Sequence, residues 1–535
     1  MLAFSNAADG AGRRIPRSRT RLSGSPPQWE ITAKSSPIPG EPLPQHAAKG
    51  VENIATGAFD STNGQIRISR AANVLGQGPS GILGHDLLPP VARFRYYLLA
   101  MASQHLTHFV VVGAGAAGLM TARELARAGK RVTILEAKTR CGGRIYPLPV
   151  DEFGYPAEGG AEFVHGAAPV TRALMREGGL ALSPRGGTRW STRSGALSTD
   201  ESSTTHMGRF YQALAEVKDD LPIAEFLETH FADHRYAELR RSITRTVEGY
   251  DAADPRRAST LALREEWMAR DDGEHGRVAK GYGALVEHLA SECRKRGAAL
   301  NLGAAVTAID EARGRVAVRC RDAARFEADA VILTVPLPLL FEIALPPAAR
   351  EREAAAADIG FGNVVKILFR FATTWWTNHR GRNLADLSFL ISDATVPTWW
   401  TQHPDKYPVL TGWFAGPKAD RVSSFSEAEL IDMGLASLAT IFDLPLDRIR
   451  KDLVASRAIN WGNDPFARGA YSYATPRTRR AQSMLRKTHG DAIFFSGEAL
   501  YAGPDMGTVE AALANGQETA QMILTGSPAS GKSGP

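Results

Sequence analysis

Three glycines and one glutamate carry the first chemical signal in this 535-residue chain. Gly113, Gly115 and Gly118 form a G-x-G-x-x-G pattern, and Glu136 follows 23 positions after the first glycine. In such a pattern the first glycine permits a tight turn, the second lets the backbone approach a pyrophosphate, and the third permits close helix–strand packing. The phosphates then lie at a helix N-terminus, and the acid accepts hydrogen bonds from a ribose. The spacing therefore predicts a dinucleotide site.

The residues around this pattern predict a βαβ unit that positions it. A short apolar run from His108 to Val112 is typical of a buried strand, and a second run covers Val132 to Leu135. Between them, a helical pattern places Leu119, Leu125 and Ala126 on one face. The unit is that of a Rossmann-like domain in an α/β protein, but by itself it does not separate NAD from FAD.

Composition excludes several classes of protein. An apolar content of 44% is ordinary for a globular chain, and the absence of an 18-residue apolar run predicts no transmembrane segment. The net charge of +6 comes mostly from residues 1–100, so the remainder is nearly neutral and gives no reason to expect nucleic acid binding. Three cysteines, Cys141, Cys293 and Cys320, with no metal-ligand spacing, predict no metal site and a reducing, cytoplasmic compartment.

The order of patterns along the chain predicts two interleaved domains. Residues 1–100 are rich in Pro, Gly, Ser and Arg, so we expect a disordered extension, with the functional protein beginning near Met101. Residues 526–535 are predicted to be a flexible tail. We expect cofactor-binding parts over 101–170, 301–340 and 461–525, and substrate-binding parts over 171–300, which is mainly helical, and over 341–460.

Motifs outside the βαβ unit resemble a known family. Arg140-Cys-Gly-Gly-Arg-Ile is similar to the R-x-G-G-R segment of the flavin-containing amine oxidases, which include monoamine oxidases, polyamine oxidases and lysine-specific histone demethylases. Phe495-Ser-Gly-Glu-Ala and the segment from Gly507 resemble the second flavin segment of that family. The resemblance implies FAD rather than NAD. It also implies a two-domain α/β architecture, in which a Rossmann-like FAD-binding domain is interleaved with an α+β substrate-binding domain.

The same resemblance implies roles for individual residues at the cofactor. Arg144 would offset phosphate charge, Glu498 would reach the ribityl or phosphate region, and the backbone of Val306 would contact adenine. A helix beginning near Thr508 would direct its N–H groups at the N1/O2 edge of the flavin; a simple helix cap is the other interpretation of that threonine. The predicted cofactor-binding residues are Gly113, Gly115, Ala117, Gly118, Glu136, Ala137, Gly143, Arg144, Gly160, Ala161, Val306, Gly497, Glu498, Thr508 and Val509.

Four further residues are predicted to act on the substrate. The segment from Trp461 to Tyr473 resembles the W-x-x-D-P-x-x-x-G-x-Y-S motif of polyamine oxidases and histone demethylases. In that motif Tyr471 is an aromatic wall before the flavin, and Trp461 packs beneath it. His165, in Gly-Ala-Glu-Phe-Val-His-Gly, would line the substrate cavity, and Lys366 matches a lysine that holds a water against flavin N5.

Two neighbouring positions refine these expectations. Ala470 falls where monoamine oxidases carry a flavin-linked cysteine, so the resemblance implies non-covalent FAD. Glu162 is a weaker candidate for binding a second cationic group of the substrate. An ordinary core position is the alternative for the aromatic residues, and a solvent-facing position on an edge strand is the alternative for Lys366.

The predicted function is an FAD-dependent oxidase of primary or secondary, polyamine-like amines. Hydride transfer from the carbon beside nitrogen to flavin N5 would be followed by imine hydrolysis and peroxide release. The expected partners are a small-molecule amine and O2, and the oligomeric state stays open. The alternatives are an L-amino-acid oxidase, which needs an arginine for the substrate carboxylate, a desaturase of an apolar substrate, and a flavin-binding scaffold. Histone demethylation is disfavoured because no inserted coiled-coil tower or reader domain is visible.

Overall fold

The computed structural model describes residues 107–193, 196–199, 205–269, 274–312, 314–487 and 492–526. The described residues all belong to one compact unit. The predicted extension over 1–100, the predicted start near Met101 and the tail beyond Gly526 lie outside these ranges. Across the described ranges, no helix combines the length and apolar character that a bilayer crossing requires.

A five-stranded parallel sheet forms the half of the fold that contains the glycine pattern. Its strands, in spatial order, are Ile493–Phe495, Ala330–Leu333, His108–Val112, Arg131–Glu136 and Ala299–Leu302. The central strand is buried along its whole length, which explains why its sequence is a continuous apolar run rather than an alternating one. The sheet is assembled from three distant parts of the chain, as the interleaved architecture predicts.

The helix that follows the glycine pattern is packed tightly on both sides. It spans Ala116–Arg127 and contacts Val509–Thr525 and Tyr282–Lys295. A Cβ atom at Gly516 would lie 2.5 Å from the Ala117 carbonyl oxygen, so only glycine permits this approach of the C-terminal helix. Helix Val509–Thr525 is thereby fixed beside the first βαβ unit.

A seven-stranded sheet forms the second half. Its strands, in spatial order, are Leu453–Asn460, Val364–Phe371, Val409–Ala415, Thr398–Trp400, Leu387–Ile391, Thr188–Arg193 and Ala196–Ser198. One face, including Ile367 and Phe369, packs into a large apolar core with helix Glu427–Phe442. Lys366 lies on the opposite face of its strand, as the period of two predicts. On that face, Lys366 contacts the loop that contains Gly160.

Smaller elements complete the described chain. The remaining strands are Phe163–Val164, Gly276–Val278 and Leu182–Pro184; Arg325–Ala328, Arg315–Cys320 and Val306–Ala312; Gly360–Gly362 and Tyr471–Tyr473; and Asn378–His379 and Arg382–Asn383. The remaining α-helices are Val150–Phe153, Pro169–Glu177, Met207–Ala215, Ile223–His230, Ala237–Gly249, Thr260–Met268, Leu337–Leu340, Pro347–Glu353, Pro417–Asp420, Leu446–Asp452 and Thr478–Leu485. Short 3-10 helices span His234–Tyr236, Ala354–Asp358, Trp375–Thr377, Trp461–Asn463 and Glu498–Leu500.

The sequence alternates like a hairpin over 301–310 and 315–320, and the structure corrects the first of these two predicted strands; it also adds one strand that was not predicted. Residues 301–310 do not form a single strand, because the chain turns at Gly303, where φ is +76°. Ala299–Leu302 therefore joins the parallel sheet, and only Val306–Ala312 pairs with Arg315–Cys320. Strand Thr188–Arg193 lies within the mainly helical part and pairs with the larger sheet. The two-domain α/β fold is observed, while the exact domain boundaries remain predictions.

Candidate functional site

The glycine loop has the geometry that its pattern predicts. Gly113 has φ of +104°, and a Cβ at Gly118 would lie 2.0 Å from the Gly113 carbonyl oxygen. A Cβ at Gly115, in contrast, would meet nothing within 4 Å. No side chain caps the helix that begins at Ala116, and its first turn, which includes Ala117, carries no acid. Open space therefore adjoins free N–H groups, which is what a pyrophosphate requires.

Glu136 is hydrogen-bonded to the glycine loop. Its Oε2 accepts from the Ala114 N–H at 2.7 Å, and its Oε1 accepts from the Lys138 N–H at 2.8 Å. Burial raises the pKa of the carboxyl above its ordinary value, although these two bonds oppose the change. Each oxygen keeps a second lone pair that could accept a ribose hydroxyl. This loop-fixing role is not apparent from the motif alone.

The residues predicted to lie near adenine are close to Glu136. Ala137 directly follows Glu136, whose carbonyl oxygen accepts from the Ala304 N–H at 2.8 Å. That bond holds the turn before strand Val306–Ala312 beside the carboxyl end of the second strand. Val306 itself is half-buried at the start of its strand. Its predicted contact with adenine remains a prediction.

The R-x-G-G-R loop lies against the glycine loop. The Gly142 N–H donates to the Ala114 carbonyl oxygen at 2.9 Å, and a Cβ at Gly143 would lie 3.6 Å from the Gly115 Cα. Gly142 and Gly143 both have positive φ, which explains the pair of glycines. The two loops thus form one continuous backbone surface.

Gly160 and Ala161 join that surface from the next loop. A Cβ at Gly160 would lie 1.9 Å from the Arg144 carbonyl oxygen, and the Ala161 N–H donates to the same oxygen at 3.3 Å. The same hypothetical Cβ would be 3.1 Å from the Trp461 ring. These contacts bring the three predicted segments together.

Arg144 has a carboxylate partner in addition to the predicted phosphate role. Its Nη1 donates to Glu498 Oε1 at 2.9 Å and to the Ala470 carbonyl oxygen at 2.8 Å. The Ser472 hydroxyl donates to the same Glu498 oxygen at 3.0 Å. A buried carboxylate is stabilised by a cation and by hydrogen-bond donors, so this network holds the three motifs in register.

Glu498 also carries an unsatisfied acceptor. Its Oε2 is buried and has no hydrogen-bond partner among the described residues. An orphaned buried acceptor is costly, which points to a hydroxyl donor that is bound at this position. A ribityl or ribose hydroxyl of a dinucleotide has that chemistry. The site fits a flavin cofactor because Glu498 Oε2 is buried and lacks a donor.

Thr508 is a helix cap. Its Oγ1 accepts from the Ala511 N–H at 3.1 Å, and the C-terminal helix begins at Val509. The capping interpretation is therefore confirmed, and it leaves open whether the helix N-terminus also faces a flavin. Gly497, with φ of +149°, donates its N–H to Asn515 Oδ1 at 2.9 Å and thereby ties the Glu498 loop to the same helix.

Lys366 is buried rather than solvent-facing. Only 1% of its surface is exposed, and its Nζ donates to Glu162 Oε2 at 2.8 Å and to the Gly160 carbonyl oxygen at 3.1 Å. The edge-strand alternative is therefore wrong, because the strand has neighbours on both sides. The lysine lies directly against the loop that contains Gly160 and Ala161.

Glu162 lies at the centre of a buried polar cluster. Its oxygens accept from Lys366, from Arg277 Nε at 2.7 Å, from Trp400 Nε1 at 3.1 Å and from Gln402 Nε2 at 3.2 Å. Burial acts to raise its pKa, but Lys366 and Arg277 outweigh that effect and lower it to about 2. The predicted role in binding a second cationic group of a substrate is wrong, because the two cations of the protein already occupy the carboxylate.

Sequence reasoning missed Arg277, Trp400 and Gln402. None belongs to a recognised motif, and Arg277 is far from Lys366 along the chain. The available signal was physical: a lysine between apolar residues requires a buried acid. That acid then requires further donors.

A series of aromatic rings extends from this cluster, and we call it the aromatic wall: Phe163, His165, Tyr250, Trp400, Trp413 and Tyr471. Phe163 lies 5.7 Å from Trp400 between ring centroids, and Trp400 lies 5.9 Å from Trp413. The His165 ring lies 6.1 Å from that of Tyr250, whose carbonyl oxygen accepts from the Tyr471 hydroxyl at 2.5 Å. Tyr471 and His165 are therefore joined through one residue, as two members of the same wall.

Trp461 occupies a fixed, buried position. Its Nε1 donates to the Gly159 carbonyl oxygen at 3.2 Å, and its ring meets the edge of Tyr146 at 6.4 Å. Lys138 Nζ lies 5.7 Å from the ring centroid. The indole thus supports the Gly159–Gly160 loop, and packing beneath a flavin remains a prediction.

Glu158 predicts a pH dependence of stability. It is buried, its Oε1 accepts from the Tyr282 N–H at 2.5 Å, and burial raises its pKa to about 8. The unfolded chain releases this proton near pH 4.3, so between about pH 4.3 and 8 the folded protein binds more protons and loses stability as pH rises. The slope contributed by this group approaches about 1.4 kcal/mol per pH unit.

Glu158→Gln should therefore flatten the dependence. We expect the melting temperature of the parent to fall more steeply between pH 5 and about pH 8 than that of the variant. Thermal unfolding followed by circular dichroism measures both slopes, and exposed Glu287→Gln is the matched control. Equal slopes in parent and Glu158→Gln would show that Glu158 is already ionised in the folded protein.

The structure combines an α/β fold, a loop that fits a dinucleotide, and a buried lysine beside an aromatic wall. This combination defines a class of protein. The model of the family "Flavin containing amine oxidoreductase" matches residues 116–524. The chain therefore belongs to this family of flavin enzymes, and the resemblance noted from the motifs is confirmed. Among the described residues, no group of three or more His, Cys, Asp or Glu side chains could hold a metal ion.

Curated relatives fall into two groups. The chain is 26% identical over 456 residues to polyamine oxidase 4 of Oryza sativa subsp. japonica, covering 78% of this chain and 89% of the relative. It is also 26% identical over 426 residues to human lysine-specific histone demethylase 2, covering 74% of this chain but only 51% of the demethylase. The chain thus spans about half the length of that demethylase.

Solved structures agree on the fold. Putrescine oxidase bound to putrescine matches with a TM-score of 0.64 at 23% identity, covering 78% of this chain and 99% of the other. Cyclohexylamine oxidase from Brevibacterium oxydans IH-35A matches with a TM-score of 0.64 at 20% identity, covering 78% and 99% of the two chains. The architecture is therefore that of the flavin amine oxidases.

Proposed function

We propose that this protein is an FAD-dependent oxidase of primary or secondary amines, with polyamine-like substrates. The observation that carries the proposal is the buried Lys366, which contacts the Gly160 loop of the cofactor cradle and adjoins the aromatic wall. The relatives named as polyamine and putrescine oxidases support the substrate class. When bound, the flavin would accept a hydride equivalent at N5 from the carbon beside the amine nitrogen.

The residues of the chain have two tasks in this proposal. The rings of Phe163, Trp400 and Tyr471 exclude water from the bound amine. Burial, together with the nearby His275 and Arg185, holds the pKa of His165 well below its ordinary value, so this histidine is neutral at neutral pH. A neutral, apolar wall favours the deprotonated amine, which alone has the lone pair that the reaction needs.

Lys366 acts differently from this wall. Its ammonium donates two N–H groups to Glu162 and Gly160 and has a third that can hold a water or an oxygen. In this position the lysine supports reaction with O2 or hydrolysis of the imine rather than cofactor binding. Imine hydrolysis consumes water and flavin reoxidation consumes oxygen, and the third N–H of Lys366 would hold either molecule in a fixed position.

An L-amino-acid oxidase is the second candidate. Arg277 does not supply the carboxylate partner that such an enzyme needs, because it donates to Glu162 and to the Thr401 carbonyl oxygen. Arg185 favours the alternative, since its guanidinium lies 5.2 Å from the Phe389 ring, next to Phe163 in the aromatic wall. Peroxide release measured over a panel of monoamines, diamines, polyamines and L-amino acids separates the candidates. Turnover of amino acids alone would overturn the amine proposal.

Non-covalent FAD gives a direct prediction. Ala470 is buried beside Arg144 and has no thiol to form a thioether with the flavin. We expect acid precipitation of the purified yellow protein to release all FAD into the supernatant, where its absorbance is measured and its identity established by chromatography. Yellow colour that stays with the pellet would contradict non-covalent binding, and released FMN would contradict the dinucleotide.

A further inference from the structure

Glu162, the carboxylate partner of Lys366, accepts more hydrogen bonds than a simple ion pair needs. Glu162 is 8% exposed, and four side chains from three separate segments donate to its two oxygens. Arg277 comes from strand Gly276–Val278, and Trp400 and Gln402 come from the end of strand Thr398–Trp400. Because its oxygens are fixed from several directions, the carboxylate cannot turn away from the lysine.

Lys366 depends on this carboxylate for its charge. A fully buried ammonium without an opposite charge loses its proton readily, with pKa shifts of up to about 3–5 for fully buried groups. Arg277 would add to this loss, because its positive charge is held on the same carboxylate. The Gly160 carbonyl oxygen is neutral and cannot replace a negative charge.

We propose that Glu162 is a positioning residue for Lys366, which keeps the ammonium protonated and fixes two of its three N–H groups so that one N–H remains for the reaction site. The described residues provide acceptors for only those two. The consequence for catalysis rests on the proposed function of the lysine. The protonation of Lys366 does not rest on it, and can be measured separately.

The other ionisable groups around the pair do not provide an equivalent charge. Glu158 is buried nearby, but its pKa of about 8 leaves it largely uncharged at neutral pH. Tyr155 is buried with its pKa raised well above the ordinary value, chiefly by burial, so it is also neutral. Arg277 has the same sign as the lysine. Glu162 is therefore the negative charge on which Lys366 depends among the described residues.

The test is a titration of Lys366 by NMR in protein carrying 13C-labelled lysine, with Lys366→Met used to assign the signal by its disappearance. Glu162→Gln should lower the pKa of Lys366 by about 1–3 or more, since an opposite charge within contact distance has been removed. An unchanged lysine pKa in Glu162→Gln would overturn the proposal.

Two further variants sharpen this result. Glu158→Gln removes a neighbouring buried carboxyl that ionises only near pH 8, so it should lower the pKa of Lys366 by less than Glu162→Gln does. Glu162→Asp keeps the charge with a shorter side chain, so the pKa should stay close to that of the parent. If Glu162→Gln does not fold, Glu158→Gln still decides: a Lys366 signal that titrates below about pH 8 in this variant, where Glu158 of the parent is largely uncharged, would overturn the assignment.

The rate of flavin reoxidation tests whether the Glu162–Lys366 ion pair serves the reaction. In Glu162→Gln, we expect the rate of flavin reoxidation by O2 to become pH-dependent in the range where the NMR signal titrates, with no such step in the parent. If the parent oxidises no amine, the proposed function fails while the NMR result still decides the role of Glu162. If amines are oxidised but the lysine pKa is insensitive to Glu162, only the present inference fails.

Discussion

Lys366→Met should retain the flavin and slow amine turnover by at least tenfold. The lysine side chain donates to the Gly160 carbonyl oxygen of the cofactor cradle but to none of Gly115, Gly143 and Glu498, so the yellow colour should persist. Methionine fills a similar volume but donates no hydrogen bond. A tenfold loss corresponds to about 1.4 kcal/mol of barrier, which is within the value of one charge-assisted hydrogen bond.

Rapid mixing locates the loss in one half of the reaction. Reduction of the flavin by a good amine should change little, whereas the step that uses O2 or hydrolyses the imine should slow. Glu162 retains Arg277 as a cationic partner in this variant, which limits the cost to folding. Exposed Lys295→Met is the matched control and should turn over as the parent does. If Lys366→Met turns over at the parent's rate, the lysine does not serve the reaction.

Gly115→Ala should separate cofactor binding from folding. A methyl group at this position meets no protein atom within 4 Å and needs no unusual φ, so the apoprotein should melt as the parent does. When FAD is bound, the same methyl lies where the pyrophosphate approaches the helix N-terminus. Loss of one charge-assisted hydrogen bond, about 1.5–3 kcal/mol, weakens FAD binding by about tenfold to hundredfold.

Titration of apoprotein with FAD, followed by flavin fluorescence, measures this effect. Gly208→Ala is the control, because a Cβ there also meets nothing within 4 Å and the position lies in the separate helix Met207–Ala215. Gly118→Ala provides the contrast: its Cβ would be 2.0 Å from the Gly113 carbonyl oxygen, so it should lower apoprotein stability as well. Parent-like FAD affinity in Gly115→Ala would contradict the phosphate role of this loop.

Patterns within short stretches of the sequence predict the strands and helices that those same stretches form. The βαβ unit follows from glycine spacing and apolar runs, and the strand-like run from Val364 to Phe371 forms a strand with the same bounds. The sequence predicts a helix over 426–441, and the observed helix Glu427–Phe442 begins one residue later because Ser426 is its cap. In each case the signal and the structure lie within the same short stretch of chain.

The parts that could not be predicted are contacts between distant stretches. Glu162 and Lys366 are 204 positions apart, and Arg144 and Glu498 are 354 apart. No pattern within either stretch specifies the other partner. The sequence thus indicated that Lys366 needs a partner, but it assigned Glu162 to the substrate, because only the folded sheet brings the two side chains together.

The central claim is that this chain binds a flavin that an amine reduces directly. The most direct test is to mix the purified yellow protein with one amine at a time in the absence of oxygen and to record the flavin absorbance near 450 nm. We predict that a primary or secondary amine bleaches the band within the time of a turnover, and that air restores it with release of peroxide. A flavin that stays oxidised with every amine, or a purified protein that carries no flavin, would contradict the account.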